Sequence, residues 1–301
     1  MNGAKHSSVL VTGGCGFVGR ATGKLLQDES YRVVSLDVAS SEDGHNFRCD
    51  LANREALHRM FEEERVAAII HLAAILPTAA QRDPVRATQV NILGSLNLLE
   101  MAQEFGVKRF VFGSSLSVYG TCPADEIVSE DSRAAPEDVY GASKIYVEQL
   151  GAAYRDQFGL EFVSLRIGRV VGPGAQSATS AWRSEIFEFL DTAEKSAITV
   201  PYASRERVLL VHVDDVARAL VALLRANCPA HGIYNAPCES VIVGDLKREI
   251  ESVNSNITVT LSGNLARGNP RLVDWSCFRT EFGFDGVPLF ERLKRKATGP
   301  S

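Results

Sequence analysis

The chain has 301 residues, 45% of them hydrophobic and 23% charged, with a net charge of −5. That balance excludes a disordered protein, which would be more polar, and the absence of any Lys/Arg block excludes a nucleic-acid surface. No apolar run approaches the ~20 residues that cross a bilayer, and the short polar start runs straight into Val9-Leu10-Val11 without a signal-peptide pattern, so a cytoplasmic protein is expected.

The length suits one large domain or two closely packed ones. In chain order, short apolar runs predict strands at 9–11, 31–36, 67–71, 110–112 and 162–165. Helical patterns lie between them at 20–28, at 54–64 after the capping residue Asn53, at 85–105, and at Val139–Phe158 with Gly159 as a stop. Strand–helix alternation with near-continuous apolar strands implies a parallel sheet covered on both faces.

After Gly172-Pro173-Gly174 the pattern loosens. Helices are expected at 181–193, 214–226 (capped by Asp214 or Asp215), 245–253 and 289–296, with strands at 208–211 and 232–235. The expected architecture is α/β: a Rossmann-like doubly wound parallel sheet with a smaller, interleaved C-terminal substrate-binding region. Residues 1–167, with 208–235 added, form the nucleotide half; 168–207 and 236–301 form the substrate region. Cys15, Cys49, Cys122, Cys228, Cys238 and Cys277 show neither CxxC nor zinc spacing, so free thiols and no metal are expected.

Thr12-Gly13-Gly14-Cys15-Gly16-Phe17-Val18-Gly19 follows the first strand and opens the first helix. Gly14, Gly16 and Gly19 have the G-x-G-x-x-G spacing: a tight turn, close backbone approach to a pyrophosphate, and helix–strand contact. The helix N-terminus then presents its free N–H groups to the phosphates. Asp37 ends the second strand, 18 residues past Gly19. A carboxylate there accepts both ribose hydroxyls and repels a 2′-phosphate. Val38, Ala39, Ser40 and Ser41 follow, with no arginine, so NAD is favoured over NADP. Asp50-Leu51 is placed to hold the adenine edge, or else Asp50 is a helix-start acid.

Tyr140 and Lys144 stand four residues apart, one helical turn, on a common face. Transfer of a hydride from an alcohol needs a group that takes the hydroxyl proton. A tyrosine does so when a neighbouring positive charge favours its phenolate. Ser115, in the pair Ser114-Ser115, would orient the substrate oxygen, and Lys144 would also grip the nicotinamide ribose. YxxxK alone is a common coincidence; beside the glycine loop, Asp37 and the serine pair it is specific.

With these residues the chain resembles an extended short-chain dehydrogenase/reductase of the NAD-dependent epimerase/dehydratase family. The resemblance runs from Val9 to Phe284 and includes His71-Leu72-Ala73-Ala74, Asn91, the stretch from Ser114 to Gly120, Arg166, Gly172-Pro173, His212-Val213-Asp214-Asp215 and Asp274-Trp275-Ser276. It implies that Leu72, Ala73, Ala74 and Asn91 line the cofactor cleft, that Ser115, Tyr140 and Lys144 form the catalytic triad, and that Ser117 touches substrate. It makes His212 and its following acids structural. It also implies a homodimer packed through helices 85–105 and Val139–Phe158.

The chain departs from the family in three places. Its sugar dehydratases carry an Asp-Glu pair after the catalytic hydroxyl residue; Leu116 and Ser117 stand here and cannot protonate a leaving hydroxyl. Nucleotide-sugar enzymes place an arginine where this chain has Val208, with Arg207 one residue out of register. Arg169 replaces an asparagine before the Gly-Pro loop, and Asn264-Leu265-Ala266-Arg267 replaces an Arg-x-Gly-Asp stretch. Arg169 and Arg207 are therefore candidate substrate contacts. The leading expectation is an epimerase of a sugar or nucleotide sugar; the alternative is a net dehydrogenase of a small sugar acid, polyol or hydroxy acid. A non-catalytic NAD-binding protein would have no use for the intact triad.

Overall fold

The structure, a computed structural model, describes residues 8–40, 46–174 and 180–297. Its strands are β1 (Ser8–Thr12), β2 (Val33–Asp37), β3 (Asn46–Arg48), β4 (Val66–His71), β5 (Arg109–Ser115), β6 (Ile127–Val128), β7 (Glu161–Ile167), β8 (Arg169–Val171), β9 (Ser196–Val200), β10 (Arg207–His212), β11 (Ile233–Asn235), β12 (Glu239–Ile242), β13 (Ile257–Leu261) and β14 (Leu272–Val273). The helices are α1 (Phe17–Asp28), α2 (Arg54–Glu63), α3 (Pro77–Arg82), α4 (Pro84–Ala87), α5 (Gly94–Glu104), α6 (Val139–Phe158), α7 (Trp182–Glu188), α8 (Val213–Arg225), α9 (Val243–Val253), α10 (Ser276–Phe282) and α11 (Leu289–Ala297).

Seven parallel strands form the main sheet in the order β11-β7-β5-β4-β1-β2-β3. The strand pleat sends alternate side chains to opposite faces. Val9 and Val11 join Ile70, Val111 and the α8 residues Val216 and Leu220 on one face. Leu10 joins Ile69, Phe110, Leu57, Leu98 and Met101 on the other. Every residue of β1 and β5 is buried, as a central parallel strand requires. The order reverses between β1 and β4, and a crevice opens there beyond the strand ends.

A second core lies outside this sheet: Val171, Trp182, Ile186, Val208, Leu210, Leu246 and Leu293 pack together. The strand expected at 208–211 belongs here. β10 pairs with β8 and β12 and not with the main sheet. From the added segment, α8 packs against α1 and β11 extends the main sheet beside β7.

Three local differences have clear causes. The N-cap of α8 is His212, whose Nδ1 accepts from the Asp214 N–H at 3.2 Å, and not either aspartate; Asp215 is turned inward to Arg218 (3.0 Å) and Arg292 (2.7 Å). The helix expected at 181–193 stops at Glu188, because Asn254 Nδ2 takes the freed carbonyls of Phe189, Leu190 and Thr192 at 3.3, 3.0 and 2.9 Å. The helix expected at 85–105 contains a π-helical turn, Thr88–Leu93, in which Val90 and Asn91 are buried.

Candidate active site

The glycine loop spans the crevice between β1 and β4. Gly13 has φ +69°, and a Cβ there would lie 2.8 Å from the Ala73 nitrogen, so the loop can touch the chain leaving β4 through glycine alone. A Cβ on Gly19 would meet the Gly13 carbonyl oxygen at 2.1 Å, which lets α1 start three residues earlier than the expected 20–28. Gly16 is the N-cap of α1 and supplies no side-chain cap, leaving first-turn N–H groups open to an anion. Asp37, at the end of β2, accepts from the Cys15 and Ala39 N–H groups, both at 3.0 Å. An uncapped helix start beside a carboxylate poised at the next strand end fits a dinucleotide. Asp50 is held by an ion pair with Arg86 and accepts from the Ala52 N–H at 3.0 Å. Arg86 had no local sequence signal, since 36 residues separate the two.

Leu72 and Ala73 each donate their N–H to Thr12 Oγ1 at 3.2 Å. The Thr12 hydroxyl meets His71 Nδ1 at 2.7 Å, and His71 Nε2 meets Ser95 Oγ at 2.8 Å. Ser95 donates to the Asn91 carbonyl at 2.7 Å, so its oxygen accepts from Nε2–H and Thr12 donates to Nδ1. Burial, with the Lys144 charge, pushes the His71 imidazole down to about 3, so it stays neutral in this chain of bonds. The Asn91 amide is occupied too: Oδ1 accepts from the Ile75 N–H (2.7 Å), and Nδ2 donates to the Ile75 carbonyl (3.0 Å) and Ser143 Oγ (3.3 Å). Asn91 thus ties the chain after β4, next to Leu72-Ala73-Ala74, to α6.

The end of β5 and the first two turns of α6 bring Ser115, Tyr140 and Lys144 together. Asp138 caps α6 by accepting from the Gly141 N–H at 2.6 Å, which sets the first turn carrying Tyr140. Ser115 Oγ accepts from the Ser117 N–H (3.2 Å) and the Ser117 hydroxyl (2.9 Å). Its own proton is left for Tyr140, whose ionised form the Ser115 side chain favours. Ser117 therefore acts on Ser115. Lys144 is buried, donates to the Gly113 carbonyl at 2.7 Å, and lies 4.6 Å from the Phe112 ring centroid and 5.4 Å from that of Tyr140. Burial pushes the Tyr140 hydroxyl up to about 12 against the Ser115 hydrogen bond, and pushes Lys144 down to about 7 against the raising charge of Glu148. The expected lowering of Tyr140 is not the outcome in the protein alone, because desolvation outweighs the Ser115 side chain and the Arg183 charge.

A buried polar network stands behind the pair. Glu148 accepts from Arg166 Nε (3.0 Å), Arg166 Nη2 (2.8 Å) and the Ser114 hydroxyl (2.5 Å). Arg166 Nη1 donates to Tyr119 Oη at 2.7 Å, and that hydroxyl donates to Asn235 Oδ1 at 2.8 Å. Burial works against the Arg166 charge, but the Glu148 hydrogen bonds and charge hold it above the ordinary range.

On the substrate side, Arg169 donates to Tyr202 Oη and to the Arg267 carbonyl, each at 3.1 Å. Arg207 donates to Ser240 Oγ at 3.4 Å, across to β12. Val208 is fully buried, and Arg271 is paired with the buried Glu206 at 3.1 Å. Arg183, absent from the sequence-based candidates, exerts its charge on Tyr140.

The family model described as NAD dependent epimerase/dehydratase family matches residues 9–236. The chain belongs to this family; it is an enzyme of the extended short-chain dehydrogenase/reductase type, and its cofactor is NAD. It is 30% identical to UDP-glucuronate 4-epimerase of Thermodesulfobacterium geofontis (strain OPF15), over 72% of this chain and 71% of the relative. It is 32% identical to uronate dehydrogenase of Pseudomonas syringae pv. tomato, over 64% of this chain and 70% of the relative. The solved UDP-glucose 4-epimerase of Thermus thermophilus, a complex with NAD, superimposes with a TM-score of 0.81 at 27% identity, covering 97% of this chain and 98% of that one. The Rossmann-like α/β fold expected from the sequence is the fold observed.

Proposed function

We propose that the protein is a net NAD-dependent dehydrogenase of a secondary hydroxyl on a small carbohydrate-type molecule. One observation carries the chemistry: Ser117 bonds Ser115 through both its hydroxyl and its N–H, and the Ser115 side chain acts on Tyr140 beside the buried Lys144. Ser115 would orient the reacting oxygen. Tyr140 would take the hydroxyl proton, and Lys144 would carry the positive charge that favours the phenolate. NAD, when bound, supplies the hydride acceptor. The glycine loop would hold its phosphates, Asp37 its adenosine ribose, Asp50-Leu51 its adenine and Lys144 its nicotinamide ribose. Asn91 would act through the loop it fixes. The main sheet would carry the cofactor, and the region around the second core the substrate.

Net oxidation is favoured by how the arginines are engaged. Val208 is buried, Arg271 is tied to Glu206 and Arg207 reaches Ser240, so none of these three positions supplies a free clamp for a nucleotide diphosphate. The similarity to a protein named uronate dehydrogenase supports the same reading. A second reading, epimerisation of a nucleotide sugar, draws on the similarity to proteins named UDP-glucuronate and UDP-glucose 4-epimerase. A homodimer in the cytoplasm completes the proposal. Among the described residues no helix is long and apolar enough to cross a membrane, and the six cysteines are free thiols.

Incubation with NAD against nucleotide sugars and against free sugar acids and alcohols, following NADH and product identity together, tests the assignment. Steady accumulation of NADH with a free carbohydrate is expected. Inversion of a nucleotide sugar without released NADH would move the assignment to the epimerase. Unchanged activity in Tyr140→Phe would sink both readings.

A further inference from the structure

Among the described residues, two half-buried arginines, Arg169 and Arg183, form no ion pair with a carboxylate. Arg169 opens β8, two residues past Ile167, which pairs in register with Ser115. At about 3.3 Å per residue, no more than about 7 Å of chain separates it from the residue paired with the catalytic serine, where the chain passes from the main sheet to the second one. Its guanidinium lies 5.5 Å from the Tyr202 ring centroid and makes its hydrogen bonds to neutral oxygens only. Arg183 lies on α7, its backbone locked to the end of β8 by the Gly172 N–H, which donates to the Arg183 carbonyl at 3.0 Å. Neighbouring Trp182 stands edge-on to the same Tyr202, with ring centroids 6.2 Å apart.

The Arg183 charge acts on Tyr140, Tyr202 and Arg169. Among the described residues no hydrogen-bond acceptor and no carboxylate meets its guanidinium. Burial, reinforced by the like charge of Arg169, lowers its basicity. A guanidinium nevertheless stays ionised at neutral pH. A desolvated charge without a counter-ion is costly, and a bound anion removes that cost. The acid acting on Tyr140 is Asp138, whose carboxylate is already engaged as the α6 cap.

We infer that Arg183 and Arg169 form an anion subsite for a carboxylate of the substrate, which makes the substrate a carbohydrate-type hydroxy acid. The inference rests on the reading that Tyr140 handles the reacting hydroxyl. The Arg183 backbone is tied to the end of β8, which begins two residues past the partner of Ser115, so an anion held there belongs to the same small molecule as the reacting hydroxyl. A nucleotide diphosphate stands farther off, with a sugar ring between. A planar carboxylate also matches the guanidinium fork.

The test is calorimetric titration of the NAD-saturated protein with D-galacturonate and D-glycerate, with their neutral counterparts galactose and glycerol, and with UDP as the diphosphate probe. At least one acid is expected to bind tenfold or more tighter than its neutral counterpart. Arg183→Leu abolishes that preference, and Arg183→Lys restores part of it. The melting temperature of Arg183→Leu stays at or above that of the parent, since an unpaired charge has been removed; a merely structural arginine would lower it. Tyr140→Phe stops turnover but keeps the acid preference, so turnover surviving in Tyr140→Phe would mark failure of the catalytic reading and not of the subsite. Acids binding no better than neutral analogues, an acid preference that survives Arg183→Leu, or Arg183-dependent binding of UDP in place of the acids would each overturn the inference.

Discussion

Tyr140 and Lys144 stand side by side, the Lys144 Nζ 5.4 Å from the Tyr140 ring centroid, and burial shifts both. Burial lifts the phenol to about 12 and lowers the ammonium to about 7. Below about pH 7 both groups keep their protons. Above it the pair holds one proton between them, and the arrangement with that proton on Lys144 presents a phenolate to the substrate. Oxidation needs that arrangement, so its kcat/KM is expected to climb with pH and bend near 7. Reduction of the matching ketone should run the opposite way, since it needs the phenol. In Lys144→Met the bend near 7 should vanish and oxidation should require more alkaline solution. Initial rates across the pH range check this; a bend unchanged in Lys144→Met would assign it to another group. The hydroxyl line from Ser117 through Ser115 works in the same direction, because two donors on Ser115 free its own proton for the phenolate.

Helix α6 carries both members of that pair and, one turn further, Glu148. Its rotation about its own axis is fixed by the buried Glu148–Arg166 pair, which joins it to β7, and by Ser114 on β5. Breaking a buried pair by removing one charge leaves the other uncompensated, at a cost of about 3–5 kcal/mol. Glu148→Gln is expected to lose about that much stability in urea unfolding. Its pH–rate bend should also move below that of the parent, because Glu148 raises Lys144. Replacing both partners by leucine should recover most of the stability and keep the shifted bend. A Glu148→Gln protein as stable as the parent would remove the pair from the account. The local parts of the candidate site are legible in the sequence, because the glycine loop, Asp37 and the Tyr140–Lys144 spacing each lie within one turn or one strand end. The sequence did not carry the Glu148–Arg166 pair, whose partners are 18 residues apart on different elements. It could not mark Arg183 either, since what distinguishes that residue is the absence of a carboxylate partner among the described residues. The short strands β3, β6, β8 and β14, of two or three residues each, were equally invisible to periodicity, and β10 reads alike whichever sheet receives it.

At the scale of the molecule, the helices expected to pack across a two-fold axis carry exposed apolar side chains. Val85 on α4, Leu93 in the π-helical turn, and Tyr146 and Phe158 on α6 are all exposed apolar side chains, and these segments pack against one another. A lone chain rarely leaves large apolar residues gathered in this way, and a two-fold axis lets a second copy cover them with the same residues. The mass measured by light scattering is therefore expected to be twice the 32.7 kDa of one chain. Leu93→Glu combined with Tyr146→Glu should bring it down to one chain, since each charge would be desolvated twice across the axis. The melting temperature of the parent should rise with protein concentration, and that of the double variant should not. Because α6 presents Tyr140 and Lys144 from the same helix, separation of the copies should also lower turnover while NAD still raises the melting temperature. A single-chain mass for the parent at high concentration would leave this face without its partner and refute the dimer.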